Sequence, residues 1–233
     1  MTQFREITSG LRFPEGPIAM PDGSVILVEI ERQTLTRVLP DGSQEIIAKT
    51  GGGPNGAAIG PDGKCYICNN GGFNWGTDDG ILHTTGASDD YVTGSIQRVD
   101  LATGEVETLY TECDGNHLCG PNDIVFDKNG NFWFTDLGKA RPRDLDRGAV
   151  YYARSDGSLI VEAVHPLFQP NGIGLSPDDS RVYAAETDAG RLVAWDIVGE
   201  GEIAKKPWPA VGWGDLIMAP EGNVRFDSLA LEA

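Results

Sequence analysis

Pro14-Glu15-Gly16-Pro17-Ile18-Ala19-Met20-Pro21-Asp22-Gly23 decides the fold of this chain, because its design returns three more times. Each unit opens with a proline, then a carboxylate or amide, then a small or turn-favouring residue. The four openings are Pro14-Glu15-Gly16, Pro54-Asn55-Gly56, Pro121-Asn122-Asp123 and Pro170-Asn171-Gly172. Seven residues after each oxygen-bearing residue stands Asp22, Asp62, Asn129 or Asp178, followed at once by Gly23, Gly63, Gly130 or Asp179. A short apolar run lies between opening and turn, and an alternating strand follows, which is the pattern of a hairpin. A fixed offset held over four units marks an internal repeat. Phe226-Asp227-Ser228 is a fifth opening that lacks the proline.

Outward from these openings the chain divides into strands. In the first unit they are expected at Ile18–Met20, Ser24–Ile30, Thr34–Leu39 and Gln44–Ala48, with turns at Pro21-Asp22-Gly23 and Pro40-Asp41-Gly42. Four antiparallel strands joined by tight turns form one propeller blade. The second unit has Ala57–Ile59, Lys64–Asn69, Ser95–Leu101 and Glu105–Tyr110, interrupted by a polar insertion from Gly71 to about Gly94. A loop of that length is usually functional or disordered, and Phe73, Trp75 and His83 suit it to cover a pocket. The third unit has Ile124–Phe126, Asn131–Thr135, Ala149–Ala153 and Leu159–Ala163. The fourth has Ile173–Leu175, Arg181–Ala185 and Arg191–Ile197, with its last strand poorly marked. Helical periodicity is missing, so the expectation is an all-β chain, residues 1–233 forming one domain. The apolar run Leu229-Ala230-Leu231 should begin a fifth blade, with its turn due at Glu232-Ala233. An open propeller leaves strand edges unpaired, so the expectation is a truncated ring.

The bulk composition narrows the function. With 18 Lys+Arg against 35 Asp+Glu, a net charge of −17, the surface repels phosphate backbones and anionic lipid. Neither nucleic acid nor membrane is an expected partner, and no apolar stretch is long enough for a spanning helix. Met1-Thr2-Gln3-Phe4-Arg5-Glu6 lacks the basic region and apolar core of a secretory signal, so the expected location is cytoplasmic. Cys65 and Cys68 lie three apart on a strand and face opposite sides, which does not suit a redox pair or a zinc knuckle. Cys113 and Cys119 bracket a loop with His117 and are expected as free thiols, with a disulfide left open. There is no Gly-x-Ser-x-Gly elbow, phosphate-binding loop or His-rich cluster.

In a propeller the first strand of each blade lines a central channel. Glu15, Asn122, Asn171 and Asp227 then converge on one axis, with Asn55 as a fifth member. Taken singly, each is explained as a turn cap; the repeated offset favours convergence. Two carboxylates and two amide oxygens form an oxygen-only set for a divalent cation, Ca2+ first, with Mg2+, Mn2+ or Zn2+ after it.

The segments Phe13-Pro14-Glu15-Gly16-Pro17, Gly120-Pro121-Asn122-Asp123-Ile124-Val125 and Gln169-Pro170-Asn171-Gly172-Ile173 resemble the SMP-30/gluconolactonase/LRE family. The resemblance spans essentially the whole chain. It implies a six-bladed β-propeller of four-stranded antiparallel blades, here stopping after the start of the fifth. It also implies a central metal and hydrolysis of a small-molecule lactone or ester. By resemblance Glu15, Asn171 and Asp227 match the metal ligands, and Asn122 matches a position that holds metal or contacts substrate. Asp227 is then the candidate general base at a metal-activated water. Asn55, Asp123 and Asp136 are candidates for substrate contact at the same channel end. The sugar-lactonase members carry an arginine where this chain has Gly120; Arg141 or Arg143 is a substitute cation, though such arginines more often face solvent. Phosphotriester hydrolysis, a strictosidine-synthase-like condensation and a non-catalytic ligand-binding propeller are the alternatives. No expectation of oligomeric state follows.

Overall fold

The computed structural model describes residues 4–210 and 212–231. The first three residues and the turn expected at Glu232-Ala233 lie outside them. Among the described residues every regular element is a strand. Sheet one runs β1 (Pro14–Ala19), β2 (Val25–Glu29), β3 (Thr34–Val38) and β4 (Gln44–Lys49), each hydrogen-bonded to the next. Sheet two is built from β5 (Pro54–Ile59) and β6 (Cys65–Asn69), then, after a separate hairpin of β7 (Phe73–Asp78) and β8 (Ile81–Ala87), from β9 (Ser95–Val99) and β10 (Val106–Tyr110). The two-residue strands β11 (Glu112–Cys113) and β12 (Asn116–His117) lead to sheet three. That sheet is β13 (Pro121–Phe126), β14 (Phe132–Asp136), β15 (Gly148–Ala153) and β16 (Ile160–Leu167). Sheet four has β17 (Pro170–Leu175), β18 (Arg181–Glu186) and β19 (Arg191–Gly199), with β20 (Glu202–Ile203) and β21 (Asp215–Met218) both pairing β19.

The turns follow from side-chain chemistry. Asp22 Oδ1 accepts from Ser24 N at 3.0 Å, and Asp62 and Asp178 repeat that bond two residues on, at Lys64 and Ser180. This is the local bond that makes Asp a turn former. At the fourth turn Asp179 takes the left-handed conformation, φ 59°, which glycine occupies at Gly23, Gly63 and Gly130.

Strand alternation builds the core between sheets rather than inside any one of them. Val28, Leu35, Cys65 and Ile67 fill the space between sheets one and two. Tyr66 and Cys68, on the other side of β6, meet Phe132 and Phe134 between sheets two and three. Trp133, pointing the opposite way along β14, joins Val182, Val193 and Trp195 between sheets three and four. Cys65 and Cys68 therefore belong to different cores, and all four cysteines are free.

Three expectations need correction. The 71–94 insertion is an ordered hairpin rather than a loop, its ladder running from Phe73↔Ala87 to Asp78↔Ile81. The inner strands begin at the prolines, several residues before the apolar runs, because a bulge hides the alternation there. Leu229-Ala230-Leu231 is in no sheet; the segment lies along β17, with Gly172 N donating to Asp227 O at 3.1 Å.

Candidate functional site

Every inner strand carries a bulge at the same place. The register shifts between Glu15 and Ile18, Pro54 and Ala57, Pro121 and Ile124, and Pro170 and Ile173. A bulge re-aims the side chains it carries, so Glu15, Asn55, Asn122 and Asn171 are freed from the alternation that points their neighbours into the cores. Successive bulges sit against one another. A Cβ on Gly16 would lie 2.7 Å from Ala57 N, one on Gly56 2.3 Å from Asn122 O, and one on Gly172 2.7 Å from Asp227 O. Only glycine permits this approach of backbone to backbone.

A cavity of about 430 Å3 opens at these bulges, lined by Glu15, Asn55, Asn122, Asp123, Ser228 and Leu229 among others. Glu15, Asn55 and Asp123 are half-buried, Asn122 is buried and Asp227 is exposed. Burial, followed by the charges of Asp227 and Asp123, raises the pKa of Glu15. Burial pushes Asp123 up to about 6, the N–H groups of Ile124 and Ile173 oppose the shift, and Asp227 adds to it. The Asp227 charge thus reaches both Glu15 and Asp123, although Asp227 and Asn171 do not themselves line the cavity, and among the described residues no Lys or Arg lines it. Asn171 stands beside them; its carbonyl accepts from Thr135 Oγ1, which in turn accepts from Asp123 N.

The donors present are carboxylate and amide oxygens, which suits a hard divalent cation. Among the described residues no three His, Cys, Asp or Glu side chains stand close enough together to hold an ion unaided. A cation here would have to draw on the amides as well. The raised carboxyls of Glu15 and Asp123, without a basic neighbour on the cavity wall, fit such a guest.

Asp136 is not brought to that cavity. It is buried at the end of β14, where Oδ2 accepts from Cys119 N at 2.7 Å and Oδ1 from Gly120 N and Gly138 N at 2.6 and 2.9 Å. The equivalent strand ends carry Glu29, Asn69 and Glu186, which pair in register with Pro14, Pro54 and Pro170 as Asp136 does with Pro121. Each accepts a backbone N–H from just ahead of its proline: Arg12, Gly53 and Phe168. The repeat therefore has a second polar position, a clamp that fixes the approach to each bulge. Its signal in the sequence is a carboxylate or amide closing each second strand.

Lys139 was not legible as a special residue. The residue is 1% exposed, its ammonium donating to Gly72 O at 3.0 Å and Asn70 Oδ1 at 3.2 Å. It lies over the rings of Phe73 and Tyr91, 4.1 and 5.0 Å from their centres. Burial lowers its pKa to about 8, and the Asp136 charge opposes that shift. Lys139 thus fastens the β7–β8 hairpin to sheet three. Next to Phe73 on the same strand, Trp75 meets Phe13, ring centres 5.1 Å apart. Arg141 is exposed and paired with Asp144 and Asp146, Arg143 is exposed, and exposed His117 does not line the carboxylate cavity.

Residues 13–233 match the SMP-30/Gluconolactonase/LRE-like region family. The chain belongs to that family. The matched region begins at Phe13, so every opening of this SMP-30/gluconolactonase/LRE-like chain falls within it. A gluconolactonase of Zymomonas mobilis is 26% identical over 216 residues, 83% of this chain and 54% of that protein. A diisopropyl-fluorophosphatase of Loligo vulgaris is 36% identical over 129 residues, 50% of this chain and 39% of that protein. The chain spans about half the length, or less, of these curated relatives. The solved structure of a Xanthomonas campestris gluconolactonase superposes with a TM-score of 0.65 at 22% identity, covering 84% of this chain and 62% of that one. This last likeness concerns the fold, which is propeller-like.

Proposed function

We propose that this chain supplies the metal-holding side of a lactone hydrolase. The observation that carries the reading is the cavity lined by Glu15, Asp123, Asn55 and Asn122, where burial and the nearby charge of Asp227 raise the pKa of both Glu15 and Asp123. The lactonase and gluconolactonase names of relatives point the same way. Glu15, Asn122, Asn171 and Asp227 would hold the cation, Ca2+ before Mg2+, Mn2+ or Zn2+. When bound, such an ion polarises the carbonyl and acidifies a water.

The remaining work falls to the side chains. Asp227, the exposed carboxylate, takes the proton of the attacking water, because an exposed carboxylate can exchange that proton with solvent. Oxygen of that water bonds to the acyl carbon, the acyl–oxygen bond of the ring breaks, and its electron pair leaves on the ring oxygen. That oxygen is protonated, and a hydroxy acid results. Asn55 orients the ring from the adjacent bulge. Asp123 is tied to the backbone N–H of Ile124 and Ile173 and holds bulge three against β17. A six-bladed ring and a cytoplasmic location complete the proposal.

The test is acid release from a panel of small lactones, before and after chelation, with each of the four ions restored. Turnover lost on chelation and regained with Ca2+ supports the reading. Turnover indifferent to chelation removes the metal from it. The identity shared with a fluorophosphatase favours phosphotriester hydrolysis as second reading, so fluoride release from an organofluorophosphate belongs in the same panel.

A further inference from the structure

A second, larger cavity of about 790 Å3 lies between the β7–β8 hairpin and the segment 137–142. Its position ties it to the carboxylate ring. Gln169 on its wall is two residues ahead of Asn171, and Leu137 follows the Asp136 clamp directly. Phe73, also on the wall, meets Trp75 with ring centres 6.3 Å apart, and Trp75 meets Phe13, two residues ahead of Glu15. The cavity wall thus adjoins units three and four through Gln169 and Leu137, and unit one through the Phe73–Trp75–Phe13 contacts.

Its walls are mostly apolar, with the hydroxyls of Thr84 and Thr85 and the Asp89 carboxylate on the hairpin side. Phe73, Ala87, Leu137, Ala140 and Pro142 supply apolar surface. Most of the polar side chains around them are already engaged. Asn74 Nδ2 donates to Asp89 Oδ1 at 2.8 Å. Arg141 is held by Asp144 and by both oxygens of Asp146. Lys139 spends its charge on Asn70, Gly72 and two aromatic faces. With its amide turned, Gln169 donates to Asp188 at 2.7 Å. Nor can a polar side chain be introduced beside Asn122, since a Cβ on Gly120 would lie 2.6 Å from Gly138 O. A small polyhydroxylated ring would find few free partners here and leave most of the space unfilled. A volume of this size falls in the range of ligand pockets, and a mostly apolar wall whose charged groups Lys139 and Arg141 are already paired favours an uncharged apolar guest.

We propose that this cavity is the substituent subsite of the lactone hydrolase, and that the substrate is a lactone or ester bearing an extended neutral hydrocarbon chain. This rests on the lactone-hydrolase reading and names its substrate class. The chain lies between hairpin and segment 137–142 while the ring reaches the bulges.

The experiment compares lactones of one ring size bearing hydrogen, methyl, propyl or hexyl, with Ca2+ present and the whole chain as enzyme. Each added methylene should raise kcat/KM roughly three- to fourfold, the effect of burying one such group. A terminal carboxylate on the same chain should cancel that gain. Thr84→Trp and Ala140→Trp, which intrude from opposite walls, should each flatten the dependence on chain length; two variants guard against one failing to fold. Hydrolysis with no dependence on chain length, or a preference for the carboxylate, overturns the subsite and leaves lactone hydrolysis standing. If no lactone is hydrolysed, the same substituents on non-hydrolysable lactams are titrated by calorimetry. Affinity that climbs with chain length and is lost in the variants sustains the subsite and removes the reaction; flat affinity overturns the subsite.

Discussion

Asp227 and Lys139 are two charged side chains under opposite constraints. Asp227 is exposed at the bulge ring, and its charge contributes to the raised pKa of both Glu15 and Asp123. Asp227→Asn keeps the shape and removes the proton acceptor. Hydrolysis should fall about 10²- to 10⁴-fold, the usual contribution of a general base, with the circular dichroism spectrum unchanged; retained turnover removes Asp227 from the mechanism. Lys139 is buried, and its folded pKa of about 8 lies below the ordinary lysine value of 10.5. A depressed pKa means that the folded state binds fewer protons than the unfolded state between those values. Its stability contribution is present above about pH 10.5 and is lost as pH falls through about 8. The difference in unfolding free energy between the native chain and Lys139→Met, from urea melts at pH 7 to 10, should therefore shift toward the native chain as pH rises. A constant difference would show that the ammonium is not strained by burial. The sequence displayed Asp227 through the repeated opening, but Lys139 has no counterpart in the other units and gave no periodic signal.

Among the elements, the bulged inner strand and its clamp form the working unit. Asp136 takes three backbone N–H groups from two loops, and replacing it by alanine leaves buried donors without partners. Each such donor costs about 1–3 kcal/mol, so Asp136→Ala should lose about 3 kcal/mol or more, read as a lower urea midpoint. Its effect on activity should follow the loss of fold rather than precede it. A full-stability Asp136→Ala with reduced turnover would instead return this carboxylate to the substrate. Hairpin turns and second strands were legible because Asp-Gly pairs and alternation are local signals. The clamp was not separable from a catalytic carboxylate, since both are an Asp at a strand end. The β7–β8 hairpin was hidden for another reason. Phe73, Trp75 and His83 sit among Gly, Thr, Asn and Asp with weak alternation, and contacts with Phe13 and Lys139 accompany its order. Strand β21 was equally obscure, because it joins β19 across a long connection.

At the scale of the molecule, the sheets bring Glu15 and Asp123 into one cavity within reach of the Asp227 charge, in a chain of net charge −17. Convergence of this kind needs the whole arrangement, since Glu15 and Asp227 are 212 residues apart (227 − 15). Without a cation the cost of that convergence depends on pH. The pKa values of Glu15 and Asp123 are raised, so the folded state is favoured while they are protonated. That advantage is lost as pH rises through about 6 for Asp123. A cation that binds only the folded chain reverses the loss, adding about 2.7 kcal/mol at a hundredfold excess over its Kd. For a chain of this size that corresponds to a rise in Tm of about 5–10 °C. Melting with Ca2+ and with chelator should therefore differ by about that amount at pH 7.5. The difference should shrink at pH 5, where protonation of Asp123 removes a negative charge beside the ion. Equal melting temperatures at pH 7.5 would remove the cation from the ring. A difference that grew on acidification would place the ion somewhere other than these carboxylates.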